Sequence, residues 1–522
     1  MKKLVFRFIL NSKKGFRKYI KKDSLGALRE KIFKLRNENV ISSNDNFYET
    51  SKQKVFNQYL GQELLNQKFI WVYLFFYSKS SRLIYPLPRK WQKSLEESGT
   101  RVNKTLSTIL YYFFLIYSFL LGLKFFFKII TKYLHFNLFK KNQFTFENFT
   151  IFKNINSSKV NLTSKTQYNL IRWYKEKIDK EANIVLLSNS NKNKQYDGNL
   201  AEAKDEFFLF YKEFNVFKFI FLFLKSLIKF RKFSIIEYNL LLFKDLIELN
   251  FYKSLKKNKI NKILFVWTNN VYKPLWIYEM EKKGIEVTIF FNGYINEIRL
   301  NSDLKFEYDH EGLKNMTWCN YFVWDEESLK FLTQKIEKKI NIQITGPNYF
   351  SDIDKDFELP KKSVVIFGYE NHKRNIGINT ITEYEYCNKD FIAEKEFFLL
   401  RNFYNDIYDV ATKNNFNVIV KRKNQLNHLE IKRNKYFFDN LFLRPNIISI
   451  DPNISAFRVI EKSDINISMP FTSTGLIGSM YDKKSIYYDP FKWIQKNDPS
   501  GSNLPLLSGK DELEKWFYNL QK

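Results

Sequence analysis

The sequence predicts an α/β protein in which two tandem Rossmann-like domains follow a helical, basic, membrane-associated N-terminal region. The chain has 522 residues, enough for two core-bearing domains. From about residue 183 onward, short apolar strands alternate with helices, and one acidic, irregular stretch interrupts this alternation. Strands that are apolar along their whole length are typical of parallel sheets covered by helices on both faces, so each alternation predicts a doubly wound sheet.

Changes in pattern divide the chain into five predicted segments. These are a helical basic region (1–104), a hydrophobic membrane-associated segment (105–145), a first Rossmann-like domain (146–350), a linker (351–362) and a second Rossmann-like domain (363–522). The residues Met1–Arg7 place an arginine within a short apolar run and have no small-residue cleavage site, so they do not fit a secretory signal.

The first alternation contains a βαβ unit. A strand at Ile263–Trp267 leads through a helix around Tyr278–Glu281 to a strand at Val287–Phe291. Further strands of this domain are predicted at Ile184–Leu187, Tyr321–Trp324 and Ile342–Thr345.

The second alternation begins after Pro360. Its predicted strands are Val364–Gly368, Val418–Val420, Ile447–Ile450, Ile465–Met469 and Ile486–Tyr488, with helices near 397–413 and 456–461. Ligands of such sheets bind at the carboxyl ends of the strands, so polar residues at those ends are the first candidates for a functional site.

Composition narrows the classes of partner. The chain carries 85 Lys and Arg against 55 Asp and Glu, a formal net charge of +30, which favours an anionic partner. The basic residues are scattered, without a zinc-finger or RNP signature, so we expect an anionic membrane surface and no nucleic acid. The two cysteines, Cys319 and Cys387, are far apart in sequence, which excludes a disulfide scaffold and predicts a reducing compartment.

The stretch Thr105–Leu123 is uncharged and rich in Phe, Tyr, Leu and Ile. As a helix it would be about 28 Å long, close to the hydrocarbon thickness of a bilayer. The twenty residues on either side carry five Lys or Arg each, so positive charge does not orient a span. We expect a membrane-embedded helix, spanning or re-entrant, and the alternative is a buried core helix.

A second segment, Phe207–Phe233, combines a basic stripe with a strongly apolar remainder. Lys218, Lys225, Lys229 and Lys232 recur on one helical face. This pattern fits either a helix at an anionic membrane surface or a core helix whose lysines reach solvent.

The most informative motif is the run Ser468–Gly478, with the sequence SMPFTSTGLIG. An apolar strand ends there in a turn marked by Pro470, and Thr472, Ser473 and Thr474 open the following helix. A helix N-terminus presents unpaired N–H groups and the positive end of the helix dipole, and hydroxyl groups there add donors suited to a phosphate. The alternative is that one hydroxyl serves as an ordinary N-cap.

This run, followed by SIYYDP at Ser485–Pro490, resembles the PFTS-motif family of polysaccharide biosynthesis proteins, which are predicted glycosyltransferases of surface-glycan loci. The likeness extends from about Val364 to the C-terminus. Two Rossmann-like domains joined by one linker are also the architecture of GT-B glycosyltransferases. The resemblance implies that the second domain binds a nucleotide sugar through the three hydroxyl groups and Asp489.

A basic run follows another predicted strand end. Lys421, Arg422 and Lys423 come directly after Val418–Val420, and His428 lies five residues further on. Such cations can neutralise a diphosphate or a CMP phosphate. The family has a basic run and a His here, and the arrangement is similar to the His-Pro motif of GT-B sialyltransferases, although no Pro follows this His. The resemblance implies that the three cations bind the donor and the histidine stabilises the leaving phosphate; the alternative is a surface histidine.

The general base is less well defined. Asp197 follows the predicted strand Ile184–Leu187 and resembles the Asp-Gly of sialyltransferases, so it is a candidate to deprotonate the acceptor hydroxyl. Asp-Gly is also a common turn sequence. Asp309, His310 and Glu311 are further candidates for the same role.

Glu370 follows the first strand of the second domain and is a candidate donor contact, with a solvated loop as the alternative. Similar proteins have an Asp-Val-Thr-Pro-like turn where this chain has Gly368–Asn371. Asp352 and Asp354 spell the DxD of metal-dependent glycosyltransferases, but they lie in the linker and not at a strand end. We therefore expect neither a metal nor another cofactor.

The function predicted from these residues is transfer of a sugar from a nucleotide-activated donor to a lipid-linked surface-polysaccharide precursor, such as that of capsule or O-antigen. The predicted location is the cytoplasmic face of the inner membrane. Two alternatives stay open: a non-catalytic assembly protein of a polysaccharide locus, and a CDP-alcohol phosphotransferase of GT-B shape.

Overall fold

The structure is a computed structural model. It describes residues 82, 84, 86–97, 101–139, 148–153, 170–187, 194–195, 199–203, 206–228, 236–256, 259–266, 273–291, 316–336, 339–347, 358–368, 393–422, 432–452, 454, 456–492, 494–497, 501 and 504–521. The predicted basic region before residue 82 lies outside these residues.

The first half of the described chain is built from helices and short strands. The helices are α1 (Arg89–Glu97), α2 (Lys104–Phe139), α3 (Leu170–Lys177), α4 (Glu206–Phe210), α5 (Val216–Ile228), α6 (Ile236–Leu241), α7 (Phe243–Lys253), α8 (Leu275–Lys282) and α9 (Glu326–Lys335). The strands are β1 (Phe149–Lys153), β2 (Asn183–Leu187), β3 (Lys194–Gln195), β4 (Leu200–Ala203), β5 (Ile260–Val266), β6 (Glu286–Phe290), β7 (Asn320–Val323) and β8 (Asn341–Ile344).

These strands form one sheet in the order β3-β4-β2-β1-β5-β6-β7-β8. All neighbours in it are parallel except the short edge strand β3, which runs antiparallel to β4. The central strand β1 is almost wholly buried, and the sequence analysis missed it; three of its first four residues are apolar, and the remaining one is Thr150. The direction of winding reverses between β1 and β5, which makes the sheet doubly wound.

The second half repeats the alternation. Its helices are α10 (Ala393–Lys413), α11 (Lys432–Leu441), α12 (Ala456–Lys462), α13 (Ser473–Met480) and α14 (Lys510–Gln521). Its strands are β9 (Ser363–Phe367), β10 (Asn417–Lys421), β11 (Ile447–Ile450), β12 (Ile465–Ser468), β13 (Lys484–Asp489) and β14 (Leu506–Ser508).

The second sheet is parallel throughout and has the order β11-β10-β9-β12-β13-β14. Numbered within this sheet, that order is 3-2-1-4-5-6, the order of dinucleotide-binding Rossmann folds. The predicted α/β class with parallel sheets is therefore confirmed, because apolar strands buried on both faces pair in parallel only when helices connect them.

Helices cover both faces of each sheet. One cluster of buried side chains joins α2, α5 and α7 to one face of the first sheet, and another joins α10, α11 and α14 to one face of the second. A third cluster includes Trp173 on α3, Trp324 after β7, and Leu476 on α13, so residues of both halves share it. The two halves therefore meet through a common apolar core.

Helix α2 is longer than the predicted Thr105–Leu123 segment. It continues to Phe139 because the lysines that end the uncharged run do not break a helix. Of the described helices, one stretch, Lys104–Phe136, is long and apolar enough to cross a membrane, and only a third of its most apolar window is buried. It packs on α6 and α7, so it is partly a core helix and partly exposed.

The predicted segment Phe207–Phe233 is not one helix. Helix α4 ends in a single 3₁₀ turn, and α5 starts after a break at Phe214 and Asn215. The Asn215 side chain causes this restart because its Oδ1 accepts the Lys218 amide, 3.0 Å away, at the new N-terminus. Lys218 and Lys225 lie exposed on α5, whereas Lys229 and Lys232 lie outside the described residues.

A buried carboxylate predicts one pH effect. Asp245, in the first turn of α7, accepts a hydrogen bond from the Leu275 amide at 3.2 Å. Burial, reinforced by the negative charge of Glu248, raises the pKa of Asp245 from 3.8 to about 7. The folded state then holds this proton more tightly than the unfolded state, so the free energy of unfolding falls as pH rises from about 4 to about 7 and levels off above that.

The Asp245→Asn variant should lose this dependence. Its melting temperature relative to the parent protein should therefore be higher at pH 8 than at pH 5, measured by circular dichroism. The exposed Asp439→Asn change is the control and should show no such difference. Equal shifts at both pH values for Asp245→Asn would contradict the assignment.

Candidate functional site

The second sheet has a switch point between β9 and β12. The strands stay paired to their carboxyl ends, where the Met469 amide donates to the Phe367 carbonyl at 3.0 Å. Beyond this bond the chain after β9 leads to α10 on one face of the sheet, whereas the chain after β12 leads to α13 on the other. Diverging connections of this kind leave the crevice in which doubly wound sheets bind ligands.

The turn Pro470–Thr474 lies directly at this crevice. Phe471 has a φ of +59°, a left-handed conformation that is unfavourable for a residue with a bulky side chain. Its buried ring packs edge-on against Tyr487, with 5.5 Å between ring centroids, and the Tyr487 hydroxyl donates to the Thr472 carbonyl at 3.1 Å. These two contacts hold the turn in a defined shape.

The three predicted hydroxyl groups differ in their partners. Thr472 Oγ1 donates to the Met469 carbonyl at 2.8 Å and lies 3.2 Å from Thr474 Oγ1, which is also 2.9 Å from Ser468 Oγ. Thr472 is the N-cap of α13 by position, yet its side chain makes no capping bond to the helix. In the part of the chain that the structure describes, Ser473 makes no side-chain hydrogen bond. The hydroxyl groups of Thr472 and Thr474 are thus engaged within the turn, whereas that of Ser473 is not.

Two glycines seat α13 against the sheet. A Cβ at Gly475 would lie 2.3 Å from a ring carbon of Tyr487, and one at Gly478 would lie 2.0 Å from Ser485 Oγ and 2.2 Å from Asn466 Nδ2. Real Cβ atoms do not approach other atoms this closely, so only glycine allows the observed packing. The two glycines therefore allow α13 to pack closely on the sheet, with its N-terminus at the crevice.

Sequence reasoning missed the polar side chains under this helix. Asn466 and Ser468, both on β12, are completely buried. The Asn466 amide donates to the Thr474 carbonyl at 2.8 Å and to Ser485 Oγ at 3.2 Å, which ties the first turn of α13 to two strands. The signal was present in the sequence, because two polar residues at a spacing of two in an apolar strand share one face.

The basic run divides into different roles. Lys421 is buried at the end of β10, and its ammonium group donates to the carbonyls of Arg422 (2.6 Å) and Pro452 (3.0 Å). Arg422 is also buried, and its guanidinium carbon lies 4.4 Å above the ring of Phe438. Lys421 thus links the ends of β10 and β11, whereas Arg422 lies at the strand end next to the switch-point strand β9.

Asp489 is buried at the carboxyl end of β13. Its Oδ1 accepts the Phe491 amide at 3.0 Å and its Oδ2 accepts the Ile494 amide at 2.8 Å. Both carboxylate oxygens therefore hold the following loop, so its donor-binding role stays a prediction.

The end of β7 in the first half is linked to the second half. Asp325 follows β7, and its side chain caps α9 by accepting the Ser328 amide at 2.8 Å. Burial, with the negative charge of Asp325 next in size, raises the pKa of Tyr487. Trp324, which directly precedes Asp325, belongs to the same buried apolar cluster as Leu476 of α13, so one cluster joins the carboxyl end of β7 to the helix that follows β12.

Four predicted site residues, Asp197, Glu370, Lys423 and His428, lie outside the described residues. The alternative bases Asp309, His310 and Glu311 and the DxD residues Asp352 and Asp354 do so too. Their roles stay predictions. Over the described ranges, no group of three His, Cys, Asp or Glu side chains is arranged to hold a metal ion.

Comparison with known proteins assigns a family. The sequence model described as "Polysaccharide biosynthesis PFTS motif protein" matches residues 222–517, more than half of the chain. The chain belongs to this family. The predicted resemblance is confirmed, and the match extends further upstream than the sequence analysis placed it. No curated protein matches the sequence.

Several solved structures are similar in fold to this member of the PFTS-motif family. The UDP-GlcNAc 2-epimerase of Methanocaldococcus jannaschii is 11% identical, with a TM-score of 0.40, over 71% of this chain and 91% of the epimerase. A variant of the wall teichoic acid polymerase TagF is 10% identical, with a TM-score of 0.37, over 76% and 88%. The glycotransferase of kitacinnamycin is 9% identical, with a TM-score of 0.36, over 72% and 90%.

Proposed function

We propose that this protein is a GT-B-type glycosyltransferase that moves a sugar from a nucleotide-activated donor to a lipid-linked precursor of a surface polysaccharide. The observation that carries this proposal is the position of the Pro470–Thr474 turn, which presents the N-terminus of α13 at the switch point of a Rossmann-type sheet. A helix N-terminus at a switch point suits a phosphate, and membership of a polysaccharide biosynthesis family indicates a sugar nucleotide.

In this proposal the second sheet belongs to the donor domain. The first-turn amides of α13 and the Ser473 hydroxyl bind the donor phosphate, and Arg422 adds positive charge. When the bond between the sugar and the nucleotide breaks, negative charge develops on the leaving phosphate. The same groups then stabilise it without a metal or another cofactor, together with His428. Thr472 and Thr474 shape the turn.

The first sheet belongs to the acceptor domain. A carboxylate of this domain, with Asp197 the leading candidate, takes the proton from the acceptor hydroxyl as its oxygen attacks the anomeric carbon. The buried cluster that joins Trp324 after β7 to Leu476 of α13 supports an arrangement in which acceptor and donor meet between the carboxyl ends of the two sheets. We place the reaction at the cytoplasmic face of the cytoplasmic membrane, where α2 gives the protein an apolar surface for a lipid-linked acceptor.

Titration of the purified full chain with CMP-, UDP- and GDP-sugars, followed by calorimetry, tests this function. We expect saturable binding of one nucleotide class and, with lipid-linked glycan extract, transfer of a radiolabelled sugar. Absence of any nucleotide binding would indicate a non-catalytic assembly protein. Consumption of a CDP-alcohol with release of CMP would indicate a phosphotransferase.

The basic run provides a second test. The Arg422→Ala variant should weaken donor binding by about 1–3 kcal/mol, since it removes a charge-assisted phosphate contact. Arg444→Ala is the matched control. Arg444 also lies over an aromatic ring, that of Tyr408 at 5.0 Å, but it precedes β11 and so lies at the amino ends of the strands, away from the switch-point crevice. If the folded Arg422→Ala variant bound the donor as tightly as the parent protein, Arg422 would not contact the phosphate and the phosphate site would lie elsewhere.

A further inference from the structure

Helix α2 carries an exposed apolar stripe. Between residues 106 and 121 its large apolar side chains at the surface are Leu106, Ile109, Tyr112, Phe113, Ile116, Tyr117, Leu120 and Leu121. Phe113 is 65% exposed, although most phenylalanines in soluble proteins are largely buried. The stripe follows the three- and four-residue spacing of one helical face, so it is a continuous surface.

Helix α5 adds a second apolar surface next to the first. Its exposed apolar residues are Phe217, Ile220, Phe221, Leu224 and Ile228, and Phe217 is 82% exposed. The two helices touch through Phe126 of α2, which stacks on Phe219 and Phe223 of α5 with ring centroids 5.4 and 3.8 Å apart. These contacts lie on the buried sides of the two helices, and each helix leaves its opposite, apolar side exposed. Exposed apolar patches of this kind mark sites of contact with a partner or a membrane.

The charges beside this surface identify the partner. Neither helix contains an Asp or a Glu. The two helices carry five exposed lysines, Lys104, Lys124 and Lys128 on α2 and Lys218 and Lys225 on α5, and Lys104 forms an ion pair with Glu96 of α1 at 2.8 Å. Exposed apolar side chains on two helices whose own charged residues are all cationic match an anionic lipid leaflet, in which acyl chains lie beneath negative headgroups.

The packing of α2 decides its orientation. Gly122, near the middle of the helix, is so close to α7 that a Cβ would lie 2.9 Å from the Lys244 backbone nitrogen. If α2 crossed the bilayer, this contact would place α7, with Asp245 and Glu248, at the level of the hydrocarbon centre. Placing ionisable groups at that depth has a large free-energy penalty. A helix fixed along its length to a globular core can instead lie in the plane of the interface.

We propose that α2 and α5 form a monotopic membrane-docking face, with their exposed apolar side chains in one leaflet and their lysines at acidic headgroups. This face is distinct from the donor crevice and does not depend on the proposed reaction. The sequence analysis offered a membrane-embedded helix or a buried core helix for Thr105–Leu123. In this proposal α2 combines the two, because one side packs on the protein core and the other side lies in lipid.

Vesicle sedimentation tests the docking face. The full chain should bind vesicles containing phosphatidylglycerol more strongly than vesicles of phosphatidylcholine alone. Changing Phe113, Ile116, Phe217 and Phe221 to Ser should reduce binding to both at least tenfold. The matched control changes Tyr436, Leu443 and Tyr518, which are exposed apolar residues of the second half, to Ser and should bind normally. Unchanged binding of the four-site variant would overturn the proposal.

Two further measurements keep the test decisive. Reversing Lys124, Lys128, Lys218 and Lys225 to Glu should abolish the preference for acidic vesicles, and a retained preference would contradict the assignment. Single cysteines at Thr105 and His135, in a background with Cys319 and Cys387 changed to Ser, report orientation on sealed vesicles. Both should react with an impermeant maleimide added outside; reaction of one end only after lysis would show a span.

The remaining occupant of such a surface is a second copy of the chain. Light scattering without lipid distinguishes this case. A stable dimer that the four Ser substitutions convert to a monomer, with no binding to vesicles, would overturn the lipid assignment.

Discussion

A Ser473→Ala, Thr474→Ala double variant should retain its fold and lose sugar transfer by about two orders of magnitude, because removal of a donor to developing charge typically has that effect. Thr474 Oγ1 lies in a hydrogen-bond network with Ser468 and Thr472, so its loss should lower the free energy of unfolding by about 1–2 kcal/mol. Ser473 has no such bond, so Ser473→Ala alone should cost less than about 0.5 kcal/mol and still reduce transfer.

This experiment is informative because it measures the free energy of unfolding and the transfer activity separately. Ser479→Ala, at the exposed C-terminal end of the same helix, is the control and should change neither quantity. Activity would be followed by transfer of a radiolabelled sugar and stability by urea unfolding. A folded double variant with full transfer activity would show that the hydroxyl groups only shape the turn, and the donor site would then need another location.

The Gly478→Ala variant should be destabilised by about 1–3 kcal/mol and should bind the donor weakly, because one methyl group overpacks the site under α13. Its Cβ would meet Ser485 Oγ and Asn466 Nδ2, both of which are buried, so neither side chain can move into solvent. The helix must then lift from the sheet or break the bond from Asn466 to the Thr474 carbonyl, and either change displaces the N-terminus of α13.

A second substitution tests this steric explanation. Ser485→Ala removes one of the two blocking atoms, so it should restore part of the stability and affinity in the Gly478→Ala background. Gly501→Ala is the control, since its Cβ would have ordinary contact distances of at least 3.6 Å and should be tolerated. Denaturant unfolding and donor calorimetry measure the two effects. Equal behaviour of the Gly478 and Gly501 variants would mean that close packing of α13 is not needed.

Much of the fold could be predicted because its signals are local. The strand at Ile465–Met469 and the hydroxyl-opened helix after it appear in the structure as β12 and α13. An apolar run bounded by a proline turn needs no distant partner to be recognised. The single helix predicted for Phe207–Phe233 was wrong, because its apolar pattern continues through the break that Asn215 caps.

The functional assignments divide in a similar way. The motif identified the candidate site, since strand-to-helix turns with hydroxyl groups are recognisable from spacing alone. The sequence did not show which of the three hydroxyl groups are hydrogen-bonded within the turn. Thr472, Ser473 and Thr474 are chemically alike, and only their neighbours in the structure distinguish them. The sequence likewise predicts that Lys421 is a phosphate ligand. In the structure, however, its ammonium group donates hydrogen bonds to main-chain carbonyls.

The sequence by itself determined the α/β class, the family and the position of the principal motif, since periodicity and motif spacing are properties of neighbouring residues. The tertiary structure decided the 3-2-1-4-5-6 strand order and thereby placed the motif at a switch point. It also decided that Gly475 and Gly478 press α13 against the sheet, and that α2 has one buried and one exposed side. These features depend on which distant segments come into contact, and pairing between residues far apart in the chain leaves no local pattern from which to read it.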